Sequence, residues 1–162
     1  MMKFSPESFP IISAHEVVES DLIAATCVPV YLGNCDGVWI IVHEHYNTDA
    51  TPLVMTLNEG ATSAEALAGT SVVTATWGGW KNTTCQTDDS ITALTAAATF
   101  SLDDTAADTT LRMFYFPSVL LTDGRDWLHP TFAAGHNDNL VSVLYILDGF
   151  RYQQAAPPTA VV

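Results

Sequence analysis

The sequence predicts an all-β fold, an antiparallel β-sandwich of jelly-roll type, on three observations. Short runs rich in Thr, Val and aromatic residues alternate with Gly, Pro, Asn and Asp, the residue types that suit strands and turns respectively. Two runs, "VWIIV" at 38–42 and "LVSVLYIL" at 140–147, are apolar on both faces where a solvated strand would alternate, so they belong to a sandwich core or to a subunit interface. The helix-tolerant stretches "ATSAEALAG" and "SITALTAAATF" are short and rich in Thr or Gly, which predicts loops or a single turn.

In chain order, residues 10–18 read as a weaker extended segment. Strands are then predicted at 26–32, 38–45, 53–57, 71–77, 111–116 and 140–147, each combining β-branched or aromatic residues between turn formers. "WGGW", Trp77 to Trp80, reads as a hairpin turn flanked by packing aromatics, with stacking on a sugar ring as the alternative. The predicted core is Trp39, Ile41, Leu53, Met55, Val73, Phe114, Phe116, Val141, Val143 and Tyr145. An apolar, proline-containing arm at 1–12 and a tail at 153–162 flank a single sandwich domain at 13–152. Phe4, Phe9, Ile11 and Ile12 give the arm apolar surface to bury, and a neighbouring subunit is a place to bury it.

The chain has 162 residues with 5 Lys and Arg against 18 Asp and Glu, a formal net charge of −13. Such a field repels phosphate backbones, which disfavours a nucleic-acid partner. No apolar run approaches the roughly 18 residues of a membrane helix, and the first residues lack the pattern of a signal peptide, so neither membrane nor export is expected. Cys27, Cys35 and Cys85 are odd in number and lack metal-binding spacing, so reduced thiols are expected.

The chemistry-bearing motif is "HEH". His43 and His45 would leave the same face of a strand one pleat apart, where two imidazoles could share a metal ion. A catalytic site needs a third ligand, and His136, Asp49 and Glu59 have no spacing that compels convergence. The expectation is therefore strand-end histidines near the sheet rim, with no catalytic residue, no cofactor and no stoichiometric metal. GxSxG, HExxH and phosphate-binding Gly-rich loops are missing from the sequence. Asp88–Asp89 and Asp103–Asp104 read as solvated turns.

Two resemblances bear on function. "GVWIIVHEH" resembles the first cupin motif, a glycine, five residues, then His-x-His, which implies a small metal-holding jelly roll. In this chain the acid that should follow could only be Asp49, and the third ligand His136 stands one place out of register with Phe132 where a Gly belongs. End to end, the order of segments is similar to that of small tailed-bacteriophage virion proteins that decorate or cement the capsid. It runs from "MKFSPESFPIISA" through "VPVYLGNCDGVWIIVHEH" and an acidic Thr/Ala-rich middle. It then passes "VLLTDGRDWLHPTF" and "NLVSVLYIL" to a closing Arg151–Tyr152 and "QQAAPP". This resemblance implies a non-catalytic protein on the outer capsid surface of a virion, made in the host cytoplasm. Its partners would be the major capsid protein and copies of itself, as a trimer, through Phe4, Phe9, Ile11, Ile12, Arg151 and Tyr152. A tail-tube or other tail structural protein is the nearest alternative, and a cupin-like metal enzyme using His43 and His45 is the second.

Overall fold

A computed structural model describes residues 11–19, 27–45, 53–83, 85, 87, 89–102, 109–133 and 140–150. Among them the strands are β1 (Ile11–Glu19), β2 (Val30–Tyr31), β3 (Cys35–His45), β4 (Val54–Gly60), β5 (Trp77–Asn82), β6 (Thr92–Ala97), β7 (Thr99–Ser101), β8 (Thr109–Pro117), β9 (Trp127–Ala133) and β10 (Leu140–Phe150). One short helix, α1 (Ser63–Ala68), follows β4, and a single 3-10 turn at Ser118–Leu120 follows β8.

The strands form two antiparallel sheets, one ordered β1-β10-β3-β8-β5-β6 and the other β2-β9-β4-β7. The pairings are nested: β1 with β10, β2 with β9, β3 with β8 and β4 with β7. Consecutive members of this nest change sheets, and the β5–β6 pair is inserted between β4 and β7 as an extension of the six-stranded sheet beside β8. The all-β sandwich predicted from the sequence is the observed architecture.

Both sheets contribute alternate side chains to one core, as the period-two pattern requires. Val38, Ile40 and Val42 of β3, Phe114 and Phe116 of β8, and Val141, Val143, Tyr145 and Leu147 of β10 face Leu53, Met55, Leu57, Phe100, Leu128 and Phe132 of the other layer. Trp77 lies in an aromatic cluster with Phe100 at 4.5 Å and Phe114 at 5.2 Å between ring centroids. Eight of the ten residues nominated from sequence are buried, but Trp39 and Ile41 are not. In a strand that is apolar on both faces the pattern cannot say which parity faces inward. The inward set is Val38, Ile40 and Val42, and Trp39 and Ile41 stand on the outer face.

Other expectations are corrected by the pairing. Residues 71–76 do not form the predicted strand; only an isolated bridge from Val72 to Asn58 occurs there. "WGGW" is not a turn but the start of β5, paired with both β8 and β6. A Cβ on Gly79 would lie 2.6 Å from the Met113 carbonyl oxygen and from the Phe114 ring, so this strand position takes only glycine. The Thr/Ala-rich stretch expected as loop supplies β6 and β7, and 127–133, not predicted as a strand, is β9. Within the described part of the predicted 26–32 strand, the ladder is confined to Val30 and Tyr31. Ile11 and Ile12, assigned to the arm, open β1, where they pair with Ile146 and Tyr145 of β10 and Ile12 packs against the core.

"ATSAEALAG" holds the one helix among the described residues. Thr62 caps it by accepting from the Glu65 amide, Glu65 accepts in turn from the Ala61 amide, and Gly69 closes it at φ 66°. Without α1, part of the outer side of the four-stranded sheet would be open, because the helix packs on β4 and β9.

Candidate functional surface

Three described side chains suited to chemistry, Cys27, Tyr145 and His129, are buried. Tyr145, fully buried on β10, donates its hydroxyl proton to the Val28 carbonyl at 2.9 Å, which leaves the Cys27 thiol, 3.2 Å away, as donor to the phenol oxygen. Burial pushes the Cys27 thiol up to about 11, against a smaller lowering by the Tyr145 hydrogen bond, so it carries almost no thiolate at neutral pH. His129 of β9 donates from Nε2 to the Cys27 carbonyl at 2.8 Å, and burial lowers its pKa, keeping it neutral. These three side chains join the 27–29 segment to β9 and β10. Tyr145 reaches the segment from the core side, and His129 reaches it from the outward face of β9, beneath α1.

The inward parity of β3 continues past Val42 to Glu44. Its carboxylate accepts from Arg112 of β8 at 3.1 Å, and the same guanidinium nitrogen donates to Thr110 at 2.8 Å. Both charged side chains are at most 2% exposed. On β4, Glu59 is buried and accepts from the Thr122 amide and hydroxyl, with the Arg125 guanidinium 3.8 Å away. Glu59, proposed from sequence as a candidate metal ligand, instead anchors the β8–β9 loop.

His43 and His45 lie on the outside of the six-stranded sheet, both exposed, at the end of β3. His45 meets the Thr109 hydroxyl at 3.1 Å through Nδ1. An interior site of the cupin kind needs both imidazoles on the core side of the strand, and that side is taken by Val42 and Glu44. Among the described residues no group of three or more His, Cys, Asp or Glu side chains is arranged to hold a metal ion. His136 and Asp49 lie outside the described residues, as do Phe4, Phe9, Arg151 and Tyr152.

What β3 presents outward is a broad apolar band. The strand register aligns Ile11, Ile146, Trp39, Tyr115 and Gly78 in one row across five strands, and Ser13, Leu144, Ile41, Met113, Trp80 and Ala93 in the next across all six. Trp39 lies 4.9 Å from Tyr115 and 5.7 Å from Trp80 between ring centroids. A third row holds Ser142, His43 and Leu111. Asp148 borders the band on β10, beside the Tyr115 hydroxyl, whose pKa is raised by desolvation first and by that carboxylate second.

The other sheet differs in kind. Its outward positions include Thr56 and Thr131, bonded hydroxyl to hydroxyl at 2.7 Å, with Thr99 and Ser101 exposed on β7. One sheet exterior thus mixes Thr hydroxyls with the Tyr31–Trp127 ring pair, 5.3 Å between centroids, and is partly roofed by α1; the other carries the broad apolar band, uncovered among the described residues. Sequence reasoning flagged β3 and β10 as doubly apolar but missed Tyr115, Met113 and Trp80. The signal was present in "LRMFYF", which alternates on neither face. In comparisons with known proteins, the chain matches no family model, no curated protein and no solved structure.

Proposed function

We propose that this chain is a structural virion protein that binds the outer surface of a tailed-phage capsid and stabilises it, without catalysis. The nested pairing of eight strands is read here as a jelly roll carrying the β5–β6 insertion. The observation that carries the proposal is the division of labour among side chains. Cys27, Tyr145 and His129 tie the 27–29 segment to β9 and β10, and Glu44 and Arg112 pair across β3 and β8, while the exterior offers a sheet with a broad apolar band. Holding a shell closed calls for stiff domains and extended contact surfaces in many copies. The order of segments along the chain supports the same reading, as does the net charge of −13, which the polyanionic interior of a filled head would repel and an outer surface tolerates.

The partners on this reading are the major capsid protein and further copies of the chain, with a trimer implied by the resemblance to decoration proteins. Purified protein is mixed with expanded capsids that lack their auxiliary protein. Saturable co-sedimentation and a raised capsid melting temperature are expected. Protein that stays in the supernatant at every ratio would contradict the proposal.

A further inference from the structure

We infer that the apolar band on the outer side of the six-stranded sheet is where copies of this chain meet one another. This deepens the oligomeric half of the reading above, and it is tested on the chain alone, so that failure to bind capsids leaves it standing. Three of the seven exposed large apolar side chains among the described residues lie on this one face: Ile11 at 49% exposure on β1, Leu140 at 41% on β10 and Trp80 at 37% on β5. They span the sheet nearly from edge to edge, with Trp39, Ile41, Met113, Tyr115, Leu144 and Ile146 between them.

Two physical arguments select a second copy as the occupant. The first is charge. In a chain of net charge −13, neither of the two central rows contains a charged side chain, and the carboxylates bordering them are Asp148 at the end of β10 and Asp36 at the start of β3. Two copies this acidic can approach closely only through a surface from which the acids have been withdrawn. The second is size. Six strands about 4.8 Å apart and four rows about 7 Å apart give a footprint on the order of 700 Å². That is close to the roughly 800 Å² per partner of a standard interface; the two apolar rows supply about half of it, and the rows of Ser142, His43 and Leu111 and of Leu140, His45 and Thr109 supply the rest. The outward rows of the opposite sheet also lack charged side chains, but that face is Thr-rich and partly covered by α1, so it offers no apolar band of this breadth. A two-fold axis would set two bands face to face, and a three-fold axis would set each band against the edge of its neighbour. Both bury the band.

The experiment is sedimentation velocity on the whole chain at micromolar concentration, with tryptophan emission followed in parallel. A dimer or trimer is expected, with emission shifting to the blue on assembly as Trp39 and Trp80 lose water. Association should tighten from low to physiological salt, because screening weakens the repulsion between acidic copies. Ile41→Lys and Trp80→Lys should each raise the dissociation constant at least about thirtyfold, while Thr56→Lys on the other sheet leaves it unchanged. Circular dichroism melts confirm that each variant is folded, and Trp80→Lys, at an already exposed position, carries the test if Ile41→Lys is not. A monodisperse monomer, or an oligomer indifferent to the band substitution, would overturn the inference.

Discussion

Replacing Arg112 with Leu isolates what the buried ion pair contributes. The guanidinium is 2% exposed and the Glu44 carboxylate 1% exposed, 3.1 Å apart on the inward faces of adjacent strands. Arg112→Leu removes the cation and leaves the carboxylate in the sandwich interior. Breaking a buried pair in this way costs about 3–5 kcal/mol, because the desolvation of the remaining charge is no longer offset. At about 2–4 °C per kcal/mol for a chain of this size, the melting temperature should fall by about 10 °C. The double variant Glu44→Leu, Arg112→Leu exchanges the pair for apolar side chains of similar volume and should lie within about 1 kcal/mol of the parent. Urea unfolding of the parent, both single variants and the double variant gives the coupling energy directly, expected at about 3 kcal/mol or more. If Arg112→Leu costs less than about 1 kcal/mol, or if the two single effects simply add, the pair does not hold β3 to β8 as argued.

The two glycines of "WGGW" should behave differently. Gly78 has nothing within 4 Å of an added Cβ whereas Gly79 abuts the β8 backbone, so Gly78→Ala should be near neutral and Gly79→Ala should cost about 1–3 kcal/mol by urea unfolding. Stability should decline in alkali. The Cys27 thiol is raised from its ordinary 9.0 to about 11 in the fold, so above pH 9 the unfolded chain releases a proton that the native state retains. The loss between pH 9 and 11 reaches up to about 3 kcal/mol, Tyr145 adds to it in the same direction, and Cys27→Ala should flatten the slope. Elemental analysis of purified protein should find far less than one Zn, Mn or Fe per chain. About one metal per chain that disappears when His43 and His45 are both changed to Ala would revive the metal-site reading.

Composition and alternation sufficed for the fold class because β-branched runs separated by turn residues have few other ways to bury their surface. They could not fix parity in "VWIIV", since Trp39 and Ile41 are as apolar as Val38, Ile40 and Val42, and only the second sheet decides which set is inside. The tripeptide "HEH" shows the consequence. Its histidines drew attention as ligands, yet the buried member is Glu44, and its cation Arg112 is 68 residues away. Strands β6 and β7 were hidden by Ala and Thr, which are ambiguous until β5 and β4 supply edges to pair with. Likewise "WLHPTF" carries a proline that argues against a central strand, but Pro130 occupies β9 between β2 and β4. The outer band was legible only in part, as a surplus of apolar residues in two strands whose second face had no assigned neighbour.

Electron cryomicroscopy of particles recovered from cells that make this chain, with the chain located by labelled antibody, tests the proposed function most directly. The account predicts density on the outer capsid surface, repeating with the capsid lattice and lost when the chain is omitted. Label in rows along the tail, or a chain that never enters the particle, would contradict it.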